Sequence, residues 1–135
     1  MTAYVHRRTF RVVMSEVDVA QIHFTNAFRW MDRGLSEWLA EIGHPFTSVL
    51  ETGPGIPIVD ARCVFLGRIL LDDMVEQTTE GGGVGRTSFR SRHAFTREGE
   101  VVARVSRSTH TCTSSPRATV PVPEWLRERA VTDEA

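Results

Sequence analysis

With 135 residues, 41% of them hydrophobic and 24% charged, the chain has the size and composition of one globular domain. Its formal net charge of −1 supplies no global basic field to hold a nucleic acid or an anionic membrane, so neither is expected as a partner and any anionic ligand must be met locally. No apolar run approaches the ~18 residues of a membrane span, and residues 1–8 lack the apolar stretch of a secretory signal, so a cytoplasmic protein is expected.

In chain order, residues 9–14 alternate, with Phe10, Val12 and Met14 of one parity, which predicts a half-buried first strand. A loop from Ser15 to Asn26 then leads into a helix of about 18 residues. In it Phe28, Met31, Leu35, Trp38, Leu39 and Ile42 recur at three- and four-residue steps, while Arg29, Asp32, Arg33, Ser36, Glu37 and Glu41 fill the other side. Thr25 or Asn26 is expected to cap the start, and Gly43 to end the helix in the left-handed conformation. Trp30 falls off the apolar stripe and is expected to cover a sheet edge or a partner subunit. Gly34 costs ~1 kcal/mol relative to Ala inside a helix, which predicts close approach of another backbone.

Residues 51–55 read as a loop, 56–66 as a second strand, and 74–80 as a third, closed by a turn at Gly81, Gly82 and Gly83. Residues 84–96 form a fourth strand, 97–100 a turn and 101–113 a fifth strand, an antiparallel meander. The tail carries Pro116, Pro121 and Pro123, a helical turn or two over 124–129, and a polar end over 131–135 expected to be loose. The order β-α-β-β-β-β predicts an α+β domain over residues 1–130, a five-stranded antiparallel sheet wrapped around one long helix. Cys63 and Cys112 show no metal-ligand spacing and are expected to be two buried thiols. On the fourth strand Arg86, Ser88, Arg90 and Arg92 share one parity, predicting a basic outer face opposite Phe89, Ser91, His93 and Phe95. Arg104 and Arg107, three apart, are expected on opposite faces of the fifth strand.

The stretch Glu16-Val17-Asp18-Val19-Ala20-Gln21-Ile22-His23-Phe24-Thr25-Asn26-Ala27-Phe28 resembles the hotdog-fold acyl-CoA thioesterases of the 4-hydroxybenzoyl-CoA thioesterase type. Weaker likeness runs through Pro57-Ile58-Val59, Arg86-Thr87-Ser88-Phe89 with Arg92-His93, and Pro123-Glu124-Trp125-Leu126. The chain departs from that family at Gln21, where it usually has Gly, and at Val17, where it has Thr or Cys. The resemblance implies a hotdog fold, a homodimer or homotetramer, an acyl-CoA or acyl-carrier-protein thioester as substrate, and no cofactor or metal. It assigns Asp18 as the catalytic carboxylate, nucleophile or general base, and places an oxyanion donor at Thr25.

The chemistry fits those residue types on independent grounds. Thioester hydrolysis needs a group that attacks or activates water, and donors for the developing oxyanion. First-turn N–H groups lack helical partners and sit at the positive end of the dipole. His23 is a candidate for a substrate or water contact, Glu16 for a supporting carboxylate, and Gln21, Phe24, Asn26 and Phe28 for the acyl pocket. Arg86, with Thr87, Ser88 and Arg90, is the candidate group for the phosphates of coenzyme A, since arginine suits bidentate phosphate recognition. Two alternatives stay open: a hotdog enoyl-CoA hydratase or dehydratase using Asp18 and His23, and a non-catalytic acyl-thioester binding module. Against the hydratase, those enzymes carry Asn-Pro between the two residues, where this chain has Val19-Ala20-Gln21-Ile22.

Overall fold

The computed structural model describes residues 2–115 and 118–132. The elements run β1 (Val5–Arg11), a 3-10 turn (Met14–Glu16), β2 (Val17–Asp18), β3 (Gln21–Ile22), α1 (Thr25–Glu41), α2 (Phe46–Thr52), β4 (Ile58–Phe65), β5 (Met74–Gly82), β6 (Ser88–Arg97), β7 (Glu100–Thr111), β8 (Thr113–Ser115), β9 (Ala118–Thr119) and α3 (Glu124–Arg127). Five of the strands make one antiparallel sheet in the order β1-β5-β6-β7-β4, and it wraps α1 as expected.

The core is banded along the helix. Trp30 and Met31 pack with Val75, Phe95, Ala103 and Val105, whereas Leu35, Trp38 and Leu39 pack with Phe89, Cys112 and Leu126. Between the two clusters lies a buried polar seam of Gln77, Thr79, Ser91, His93, Ser108 and His110. It is joined by Gln77 Nε2 donating to Trp30 O (2.8 Å), Thr79 Oγ1 to His93 Nδ1 (2.9 Å), His93 Nε2 to Ser91 Oγ (3.0 Å) and Ser91 Oγ to His110 Nε2 (3.0 Å). Gly34 sits over this seam: a Cβ there would lie 2.4 Å from Gln77 Nε2 and Thr79 Oγ1. The close approach expected at Gly34 is therefore made by polar side chains, not by a backbone.

Several expectations need correction. β1 begins at Val5 and ends at Arg11, because Val12 leaves the ladder to exchange backbone hydrogen bonds with Asp72 and Asp73, and Met14 is exposed in the 3-10 turn. The early residues of β1 are polar because buried His6 is bracketed by Glu37 and Glu41 of α1, which hid the strand from a hydrophobic pattern. Trp30 is 4% exposed, held between Phe10 of edge strand β1 and Phe95 of β6 at ring-centroid distances of 4.8 and 5.4 Å, so it is buried over the β1 edge of the sheet. Neither Thr25 nor Asn26 caps α1 through its side-chain oxygen. Gly43, φ 100°, does end it: its N–H reaches Ala40 O and that of His44 reaches Leu39 O, a Schellman pair. Residues 51 and 52 close α2, which the sequence did not indicate, and Gly81 and Gly82 belong to β5, Gly81 lying against Trp38. The turn after β6 is tight, with Glu98 and Gly99 both at positive φ. Cys63 is only half-buried, on edge strand β4, while Cys112 is buried; burial pushes the Cys63 thiol up to about 11. Pro116 and residues 133–135 lie outside the described residues, but Val131 is tied by its N–H to Gly81 O at 2.7 Å, not loose.

Candidate active site

The loop between β1 and α1 is held by Glu16. Its Oε1 accepts the Val13 N–H at 2.9 Å, its Oε2 accepts the Trp30 indole N–H at 2.8 Å, and its carbonyl accepts both the His23 N–H (2.9 Å) and Asn26 Nδ2 (2.8 Å). The carboxylate supports the loop through two of these contacts, and the backbone carbonyl through the other two. Asn26, expected in the acyl pocket, is instead a buried staple, its amide also reaching His23 O at 3.2 Å.

Directly after Glu16 the chain makes a two-residue hairpin. Asp18 faces Gln21 across β2 and β3, and the tip residues Val19 and Ala20 both take positive φ, 53° and 69°. A β-branched residue in that region is disfavoured by contact between its Cβ and the backbone, so tertiary contacts must hold it. They do: Leu71 N–H donates to Ala20 O and Ile22 N–H to Ile69 O, each at 3.0 Å. The left-handed positions are 19 and 20, so Gln21 needs no glycine; its exposed side chain accepts from Arg68 Nε at 3.3 Å. Asp18 is exposed beside this turn.

The helix start follows. His23 stacks on Phe24, centroids 4.8 Å apart, and its Nδ1 takes a 2.8 Å hydrogen bond from Thr25 Oγ1 and a long 3.4 Å contact from the Thr25 N–H. Two donors on Nδ1 place the imidazole proton on Nε2. The Thr25 N–H is therefore only weakly occupied and available to a better acceptor. Gln21, Ile22 and Phe24, together with Phe65, Gly67 and Ile69, line a cleft of ≈ 240 Å³. Phe24 is 59% exposed at its mouth, whereas Phe28 is half-buried against the core. Phe65, Gly67, Ile69 and Arg68 were missed from sequence; the end of the β4 pattern followed by Gly67 was the available signal.

The candidate nucleotide group lies elsewhere. Arg86 and Thr87 form a bend before β6, their carbonyls accepting from Val122 and Cys112, and Ser88 pairs with Thr111. The other end of β6 is Arg97, bonded to Asp73 at 2.9 Å beside the Asp18 hairpin. Ten residues of strand at ~3.3 Å each put ~30 Å between the two ends, so within one chain Asp18 and the Arg86 to Ser88 bend are not brought together. Arg90 projects outward from β6 as expected.

A carboxylate on a hairpin just ahead of a helix start whose first N–H is weakly held, and a sheet wrapped about that helix, fit a hotdog-fold thioester hydrolase. The model of the thioesterase-like superfamily matches residues 12–130, and the chain belongs to that superfamily. A protein of Aquifex aeolicus (strain VF5), provisionally named an esterase, is 25% identical over 126 residues, 93% of this chain and 95% of its own. Among solved structures, a gentisyl-coenzyme A thioesterase is 28% identical with a TM-score of 0.82, over 90% of this chain and 99% of its own. A mutant 4-hydroxybenzoyl-CoA thioesterase complexed with 4-hydroxybenzoyl-CoA shares the fold at 22% identity and a TM-score of 0.83, over 95% and 100%. No helix among the described residues is long and apolar enough to cross a membrane.

Proposed function

We propose that this chain hydrolyses the thioester of a small or aromatic acyl group, carried on coenzyme A or an acyl carrier protein, with Asp18 as its catalytic carboxylate. The observation that carries the reading is the placement of Asp18 on the turn that leads to the Thr25 N–H. A thioester carbonyl seated there would exchange the 3.4 Å contact to His23 for a full hydrogen bond to the developing oxyanion. Asp18 takes a proton from water as the water oxygen bonds to the carbonyl carbon, and passes it to the thiolate as the C–S bond breaks. Acting as nucleophile, it would form an acyl-aspartate anhydride that water then opens. The cleft's size, the rings of Phe24 and Phe65, and the gentisyl-CoA thioesterase among the similar structures favour a small aromatic acyl group.

The complete site is a dimer's. Edge strand β4 exposes every residue except half-buried Cys63, among them Val59 at 61% and Phe65, a long apolar edge of the kind that pairs with another chain. Ile58 sits at the Thr111 end of the sheet and Phe65 at the hairpin end. Two-fold antiparallel pairing of β4 with its copy sets the Phe24 and Phe65 cleft of one subunit beside the Arg86 to Ser88 bend of the other, joining the two groups that one chain keeps ~30 Å apart.

Asp18→Asn is expected to keep the fold and the affinity for a non-hydrolysable acyl-CoA analogue while free-thiol release falls by at least ~10²-fold. Turnover close to wild type would remove Asp18 from the mechanism. Light scattering at micromolar protein is expected to return at least twice the 15.2 kDa chain mass, and a monomer would defeat the shared site.

A further inference from the structure

The fifth strand does not keep its phase. Val105 pairs with Cys63 and with His93, but the next pairs are Arg107 with Arg62 and Ser108 with Ser91, so Ser106 is an extra residue in β7. This bulge turns the strand by one residue and puts Arg104 and Arg107 on the same outer face, contrary to the strict alternation expected from sequence. Arg62 of β4 and Arg90 and Arg92 of β6 share that face, with Arg7 of β1 at its margin, and together they line two adjoining hollows of ≈ 230 and ≈ 460 Å³ around the Ser106 side chain.

Two acids lie among them: Asp60, 3.0 Å from Arg107, and Glu80, 3.8 Å from Arg92. Six arginines against two acids give this face a charge of +4 on a chain whose net charge is −1, so the remainder carries −5. Arg62, Arg90 and Arg104 form no ion pair among the described residues. The face is thus a strong positive field on a body that repels anions elsewhere.

We propose, resting on the thioesterase reading above, that this arginine face docks an acyl carrier protein, so that the acyl group arrives on a small acidic protein's phosphopantetheine arm and not on free coenzyme A. Three observations select that occupant. The side chains span strands β1, β5, β6, β7 and β4, four spacings of ~4.8 Å or ~19 Å, which exceeds the three phosphates of one nucleotide and suits the acidic face of a small domain. No Phe, Tyr or Trp lines either hollow, and the His93 ring is buried in the polar seam on Thr79 and Ser91, so nothing there stacks an adenine, while arginines and a hydroxyl suit carboxylates and the phosphodiester of the arm. A second copy docking by two-fold symmetry would set arginine against arginine, and an extended polyanion would meet the negative remainder of the chain.

The test compares one acyl group on coenzyme A and on a phosphopantetheinylated acyl carrier protein, using the full chain and the exposed double variant Arg7→Glu/Arg104→Glu, which leaves β4 and its pairing untouched. In the variant, kcat/KM for the acyl carrier protein is expected to fall at least roughly tenfold while kcat/KM for acyl-CoA stays within about twofold, and the loss should shrink as salt is added. Binding of the acyl carrier protein to Asp18→Asn, with and without the two glutamates, reads the same surface without turnover and should weaken by a similar factor. Equal losses on both substrates, a loss on acyl-CoA alone, no loss, or equally strong binding of a short DNA duplex would each overturn the proposal. If wild-type chain binds the carrier protein but cleaves neither thioester, the thioesterase reading fails while the docking face stands.

Discussion

The indole N–H of Trp30 donates to Oε2 of Glu16 at 2.8 Å, tying the second turn of α1 to the loop that carries Asp18 two residues further on. The other carboxylate oxygen holds the Val13 N–H at 2.9 Å, so this one side chain accepts from both sides of the loop.

Glu16→Gln keeps one accepting oxygen and supplies an NH2 where a second acceptor is needed, so one of the two donors loses its partner. An unpaired buried donor costs about 1–3 kcal/mol. The expected outcome is a lower melting temperature and a kcat reduced roughly tenfold with KM little changed, since the loop that aims Asp18 loosens while the cleft keeps its walls. Trp30→Phe breaks the same bond and should reproduce that kcat loss; an unchanged kcat in both variants would reduce Glu16 to a structural residue.

His23 separates hydrolysis from hydration. Its Nδ1 is taken by Thr25, so in a thioesterase it orients the helix start and moves no proton of the reaction. His23→Ala should then cost about tenfold in kcat/KM, near 1.4 kcal/mol. In a hydratase the imidazole would share proton transfer with Asp18, and its loss would equal that of Asp18→Asn without adding to it. Equal, non-additive losses measured on an enoyl-CoA substrate would replace the present reading with that one.

The polar seam makes the fold sensitive to acid. Burial holds His93 down to about 3, helped by the nearby His110, and burial holds His110 down to about 4, against an ordinary value of 6.5. The unfolded chain therefore takes up protons below pH 6.5 that the folded chain refuses, and stability is full above that pH and lost as it falls toward 4. Each histidine contributes up to ~1.4 kcal/mol per pH unit within that window. Urea midpoints measured from pH 7.5 to 4.5 should drop accordingly, and His93→Gln should flatten the slope even if it lowers the plateau.

Local pattern carried much of this molecule in one dimension. The stripe of Met31, Leu35, Trp38 and Leu39, the Gly43 stop, the alternation of Phe89, Ser91, His93 and Phe95, and the acid-before-helix block around Asp18 were legible because each depends on spacing within a few residues. What the tertiary structure alone decided depends on which strands lie side by side. Trp30 is buried because Phe10 and Phe95 meet over that flank of α1, and Gly34 is required because Gln77 and Thr79 rise beneath it. The Ser106 bulge exists only as a mismatch between β7 and its two neighbours, so no periodicity of β7 by itself could put Arg104 and Arg107 on one face. Likewise the ~30 Å between Asp18 and the Arg86 to Ser88 bend follows from the length and direction of β6 in the sheet, since sequence separation fixes only a maximum span far larger than the domain and says nothing of how near a fold brings two groups.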